Sequence, residues 1–188
     1  MTPVLQVLPY DAQWTAQFET LKERIWPWVG EHALIIEHVG STSVPGLSAQ
    51  AIIDLDIVVL DTDKLQACIQ AICAQGYIYD GERGVAGRHA LSGGEGPRHN
   101  LYVCLLGSLG LRNHLAVRDF LRLHPLRAKR YGELKIELAA QHSLAPAKYS
   151  AGKTAFLVAL LKELGLSPSD QVHVSDSKPK SPRHPQQI

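Results

Sequence analysis

Asp54 and Asp56 stand two residues apart in the apolar run AIIDLDIVVL, and a small-residue turn, Gly40-Ser41-Thr42-Ser43, lies upstream of them. Side chains alternate faces along a β-strand, so the two carboxylates point the same way, roughly 6.5–7 Å apart along the chain. Ile53, Leu55 and Ile57 then point the other way, into a core. Two ionised carboxylates side by side repel, and each loses solvation on a covered sheet. A divalent cation between them offsets that cost. An all-oxygen ligand pair selects Mg2+ or Mn2+, which keep several waters and take substrate phosphates as further ligands. The corresponding chemistry is metal-assisted phosphoryl transfer. The alternative is an open face on which both carboxylates are solvated or paired with arginine, and a lone D-x-D does not decide between the two. The turn adds a second feature: glycine lets backbone N–H groups converge, hydroxyls add donors, and such a nest cradles phosphate.

Other candidates lie downstream. The stretch 112–135 carries Arg112, Arg118, Arg122, Arg127, Lys129, Arg130 and Lys135 against only Asp119 and Glu133. They form either an electropositive wall facing phosphates, with arginine as a bidentate clamp, or a solvated helix face. Arg118 ranks first among them, with Asp119 to orient it and His114 one helical turn earlier. The segment SAGKT resembles the end of a P-loop, but that pattern needs glycine where Ala147 stands. Lys153 instead reads as a phosphate contact reaching into a cleft, with Tyr149 one turn before it to stack, hydrogen-bond or pack. Arg98 and His99 stand at the end of the glycine-rich loop GGEGPR and read as substrate contacts. Nine histidines bring no CxxC or HxxxH spacing, so a zinc site has no support.

Elements must position these groups. Trp14, Phe18, Leu21 and Ile25 predict a helix over about 12–26, N-capped by Asp11 and bent or ended by Pro27. Strands are expected at 33–39, 51–60, around YIYD, within VAGRHALSGG and at 99–106, with an amphipathic helix at 62–75. Helices follow at about 111–123, 126–142 and 146–164. The layout is α+β with the helices segregated in sequence. It forms one domain over 1–166, with a sheet core at about 33–106 and a helical part at about 109–164. Residues 167–188, rich in proline, serine and lysine, predict a disordered tail. The net charge of +1 argues against a general polyanion binder, and the basic helices lack interleaved aromatic residues, which disfavours nucleic acid. Cys68, Cys73 and Cys104 make no disulfide framework. With no signal peptide and no membrane-length apolar run, the expected location is the cytoplasm.

The longer stretch EHVGSTSVPGLSAQAIIDLDIVV resembles the hallmark of the GrpB (UPF0157) family, within the nucleotidyltransferase (DNA polymerase β-like) superfamily. RHNLYVC resembles the family's central strand, LRNHLAVRDFLRLHP with YGELKIELA its helical signature, and KYSAGKTAFL its closing helix, so the match covers about residues 7–164. The resemblance implies a nucleotidyltransferase-like mixed β-sheet with flanking helices and a helical C-terminal part. It implies that Gly40 and Ser41 hold a triphosphate, and that Asp54 and Asp56 bind Mg2+ (or Mn2+). Active members place a third carboxylate on the later central strand, where this chain offers only His99, Asn100 and Tyr102; Glu95 is poorly spaced. Either His99 serves as base, or one metal supports a slow reaction, or nucleotide binds without chemistry.

The expected function is that of a Mg-dependent nucleotide-binding protein that transfers a nucleotidyl group from a nucleoside triphosphate to a small-molecule acceptor. Asp54, Asp56 and His99 are the catalytic candidates. Gly40, Ser41, Thr42, Ser43, Arg98, Arg118, Tyr149 and Lys153 are the substrate-binding candidates. The alternative is a catalytically silent module for a nucleotide or a coenzyme A-like ligand.

Overall fold

Trp14, Phe18, Leu21 and Ile25 share one face of a helix, and with Val29 they are the buried residues of α1 (Gln13–Val29). In the computed structural model, which describes residues 5–166, the Asp11 carboxylate accepts from the Gln13 N–H at 2.9 Å and so covers one of the open donors at the start of this helix. Pro27 does not end it. The helix runs on through buried Val29 and closes with the Gly30 N–H on the Trp26 carbonyl at 2.8 Å. The expected tail, residues 167–188, lies outside the described residues.

Five strands form: β1 (Ala33–Val39) and β2 (Ile53–Val59), which are apolar and β-branched, then β3 (Ile78–Gly81), β4 (Arg88–Ser92) and β5 (His99–Leu105). Their spatial order is β1-β2-β5-β4-β3, with β2 and β5 parallel and the other pairs antiparallel. A parallel pair needs a crossover, and α2 (Thr62–Cys73) lies on the path that supplies it. Asp61 caps α2 by accepting from the Lys64 N–H at 2.8 Å. Ile53, Leu55, Ile57, Leu101 and Val103 turn one sheet face into the main core against α1 and α2. Burying side chains of this size stabilises by about 1.5–3 kcal/mol each. The opposite face receives α3 (Leu109–Leu123), whose Leu111 meets Val58 and Cys104. Then come α4 (Pro125–Gln141) and α5 (Pro146–Glu163), each started by a proline whose missing N–H is unneeded at that position. Tyr131, Ala128 and Leu160 of these helices pack with Leu121 onto Val44 and Leu47, just beyond the 40–43 turn. The α+β class is the observed one. Among the described residues no helix is long and apolar enough to cross a membrane.

His38, on the core side of β1, stacks on Phe18 with centroids 4.6 Å apart. The Thr42 hydroxyl donates to the Ile52 carbonyl at 3.3 Å, so the His38 Nε2–H donates to Thr42 at 3.1 Å. Burial, then the Arg122 and Arg118 charges, push the His38 pKa down to about 4. The unfolded chain takes up the proton near pH 6.5 and the native one only near 4, so the stability is complete above 6.5 and is lost as pH falls through that window. The loss should be about 3 kcal/mol. Thermal melts at stepped pH should show a flatter decline for His38→Gln than for the wild type; parallel curves would contradict it.

Candidate functional site

Strand register assembles the site. β1 sets Glu37 beside Asp56 and Val39 beside Asp54, while β5 sets Asn100 beside Asp54 and Tyr102 beside Asp56. These side chains share the face that α3 crosses. Asp56 is fully buried, and its Oδ2 accepts from His114 Nδ1 at 2.8 Å. Its Oδ1 is buried and has no hydrogen-bond partner. Arg88 Nη1 faces His114 Nε2 at 3.4 Å, which leaves the imidazole proton on Nδ1, toward Asp56. The Arg88 guanidinium also lies 4.8 Å over the Tyr102 ring. Asp54 is half-buried and its Oδ1 accepts from Asn100 Nδ2 at 2.7 Å. Burial raises the Asp54 pKa, and the Asp56 charge adds to the rise, against the Asn100 hydrogen bond and the His114 and Lys153 charges.

Gly40 closes the chain onto this carboxylate. At φ 71° it is left-handed, and a Cβ there would lie 2.1 Å from Asp54 Oδ2. Gly40→Ala should therefore both strain the backbone, by about 1–2 kcal/mol, and displace Asp54. A melting temperature lowered by about 2–8 °C, at about 2–4 °C per kcal/mol, checks it.

The turn residues divide. Ser43 donates to the Gly40 carbonyl at 2.6 Å, and the Ser43 carbonyl accepts from Arg122 Nε and Nη2 at 3.0 and 2.8 Å. Buried Thr42 is held between His38 and Ile52. Contrary to expectation, these two hydroxyls hold the turn in shape and do not line the site. Ser41 Oγ is the one that accepts from Lys135 Nζ, at 2.7 Å. Lys135 is 2 % exposed and sits 4.5 Å over the Tyr131 ring. Burial pushes its pKa well below the usual lysine value, and the Lys153 charge adds to this against Asp54. Lys153 sits 4.6 Å over buried Tyr149, and burial lowers its pKa too, with Asp54 opposing. Lys153, Asp54, Lys135 and Ser41 are thus brought together, with Tyr149 as packing beneath a lysine.

Three other expected residues lie elsewhere. Arg118 donates from Nη1 to Glu37 Oε2 at 2.6 Å and to the His38 carbonyl at 3.1 Å, and from Nε to Asp119 at 2.7 Å. Its guanidinium is committed to β1, because Glu37 offers a fixed carboxylate within reach. His99 pairs in register with Ile53, so strand alternation carries it to the opposite sheet face from Asp54. There its Nδ1–H donates to the Pro97 carbonyl at 2.7 Å and its Nε2 accepts from Tyr77 at 2.9 Å. It is not positioned as a base for the carboxylate pair. Arg98 is exposed just before β5. Sequence reasoning counted Lys135 only as one of seven basic residues and did not single out Asn100 or Arg88 as site residues. Lys135 had a signal: with Ala128, Tyr131, Gly132 and Ala139 it occupies the buried stripe of α4 at helical spacing.

Among the described residues no group of three or more His, Cys, Asp or Glu is arranged to hold a metal ion. The two-carboxylate set still suits a hard cation that keeps waters and takes phosphate oxygens, since Asp56 Oδ1 is a buried carboxylate oxygen with no hydrogen-bond partner.

A family model described as GrpB protein matches residues 4–163. The UPF0157 protein YqkA of Bacillus subtilis is 36% identical over 150 residues, which are 79% of this chain and 44% of YqkA, so the chain spans less than half of that relative's length. The crystal structure of conserved protein GrpB from Enterococcus faecalis matches with a TM-score of 0.76 and 35% identity, covering 84% of this chain and 96% of that one. Cid1 in complex with its short product ApU shares the fold at 11% identity, with a TM-score of 0.54 over 80% of this chain and 49% of Cid1. The mixed sheet with its flanking helices is therefore a nucleotidyltransferase fold.

Proposed function

The chain belongs to the GrpB family, and on that footing we propose that it binds a Mg2+–nucleoside triphosphate between the Gly40–Ser41 turn and the Asp54–Asp56 strand. What supports this is one juxtaposition: a glycine turn, buried Lys135, half-buried Lys153 and a carboxylate pair meet at one end of the sheet. Lysines at such a position lower stability unless an anion arrives. Cid1, which shares the fold, is described with a nucleotide product, in keeping with a nucleotide ligand here.

Asp54 and Asp56 would hold Mg2+ or Mn2+, which when bound neutralises phosphate charge and orients phosphate oxygens. Gly40 leaves room for the Asp54 carboxylate against the turn. Ser41 accepts from Lys135, which keeps that lysine beside the turn where a phosphate would lie. Lys135 and Lys153, whose proton affinity burial has lowered, regain it beside a phosphate anion. Arg118 and Arg122 keep β1 and the turn in place rather than touching the ligand.

Whether a nucleotidyl group is then passed to a small acceptor is a separate question. One observation favours a second, catalytically silent reading: β5 brings Asn100, not an acid, beside Asp54. Melting the protein with each of the four nucleoside triphosphates, with and without Mg2+, tests the binding. A ligand at about 100 times its Kd adds about 2.7 kcal/mol, a rise of about 5–10 °C for a domain of this size. Release of labelled pyrophosphate with a panel of small acceptors then separates enzyme from silent module. No shift with any of the four overturns the nucleotide site and leaves the silent module only its coenzyme A-like ligand.

A further inference from the structure

Each carboxylate of the pair already has one oxygen engaged by an N–H donor. Asn100 Nδ2 donates to Asp54 Oδ1 at 2.7 Å, and His114 Nδ1 donates to Asp56 Oδ2 at 2.8 Å. The two oxygens that remain are on different residues: Asp54 Oδ2, against Gly40, and Asp56 Oδ1, buried and without a hydrogen-bond partner. From this we infer that the site takes one divalent cation, and that Asn100 is the residue that limits it to one. The inference rests on the metal-nucleotide reading above and goes beyond it.

A second cation, held about 3.5–4 Å from the first as two-metal sites require, needs anionic oxygens of its own. The Asn100 amide turns the positive end of its dipole to the oxygen such an ion would use, and it carries no charge to replace that oxygen. His114 guards the other carboxylate in the same way, and Arg88 at its Nε2 keeps the imidazole from turning that nitrogen's lone pair away. Glu37, the remaining acid on this face, is held by Arg118 at 2.6 Å. Asn100 is the replaceable member. It is exposed, at the start of β5, with its Cα in register with that of Asp54. Asn100→Asp keeps the size and shape while exchanging a donor for an anionic oxygen, which opens Asp54 Oδ1 and adds a ligand beside it. Asn100 acts here as a positioning residue, through Asp54.

The test is a count of bound Mn2+ on the full chain by electron paramagnetic resonance, with Asp56→Asn as the blank for adventitious surface sites. The expected result is one Asp56-dependent Mn2+ in the wild type and two in Asn100→Asp. Two in the wild type would overturn the inference and leave the metal site standing. One in both proteins would show that Asn100 does not set the limit and would equally overturn it. None in the wild type would remove the metal reading itself, and the inference with it. The wild-type count stands on its own even if the variant folds poorly.

Discussion

Lys135→Met should raise the melting temperature and weaken nucleotide binding in the same protein. The side chain is 2 % exposed, reaches Ser41 and lies over Tyr131, and burial holds its proton affinity well below that of an ordinary lysine. The unfolded chain keeps an ordinary lysine there, so folding at neutral pH must either bury an ammonium or shed its proton, and both cost free energy. Methionine has similar length and no charge. Its gain should be about 1–3 kcal/mol, after loss of the Ser41 hydrogen bond, or about 2–12 °C. The penalty is full below the native pKa and fades as pH rises toward the unfolded value, near 10.4. The wild type should therefore gain on Lys135→Met as the solution is made alkaline. In the opposite direction, a lost charge-assisted phosphate contact is worth about 1.5–3 kcal/mol, or about 10–100-fold in Kd. Stability falling with affinity unchanged would mark Lys135 as purely structural.

Asp56→Asn should leave the fold intact or stabilised and abolish the Mg2+-dependent part of nucleotide binding. Asparagine fits the same space, and its carbonyl oxygen can still accept from His114 Nδ1. The buried oxygen without a partner loses its charge, and the repulsion with Asp54 along the strand goes with it. Losing an outer-shell partner of a metal ligand typically costs about 10–100-fold in metal affinity, and losing the ligand itself should cost at least as much. Asp54→Asn should act in the same way, with an added change at Asn100, whose donor then faces a neutral acceptor. Titration of each variant with nucleoside triphosphates at fixed Mg2+ checks this. A retained Mg2+-dependent response in both would contradict the assignment of the pair.

Much of this was legible in the residues. Period-two alternation puts Asp54 and Asp56 on one face, and it does so whatever the partner strands are. The bounds of β1 follow from its apolar run. What was not legible depended on partners far away in sequence. The face that His99 occupies is set by the register of β5 on β2, and a shift of one residue exchanges His99 for Asn100. The hydroxyls of Thr42 and Ser43 are claimed by Ile52 and Gly40, which no count of donors in the turn reveals. Arg118 meets Glu37 only because α3 crosses β1. Lys135 stands in an apolar stripe where a lysine ordinarily snorkels out to water, and only the packing of α4 on the turn closes that route. Pro27 is tolerated because one missing hydrogen bond near a helix end is outweighed by the burial of Val29.

The most direct measurement is isothermal titration of each nucleoside triphosphate into the full chain, with Mg2+ and with a chelator. Saturable binding of one nucleotide per chain in Mg2+, lost in the chelator and in Asp56→Asn, is the expected result. The absence of saturable heat for all four nucleotides in Mg2+, or binding that is indifferent to both Mg2+ and Asp56, would contradict a metal-nucleotide site between the turn and the carboxylate pair.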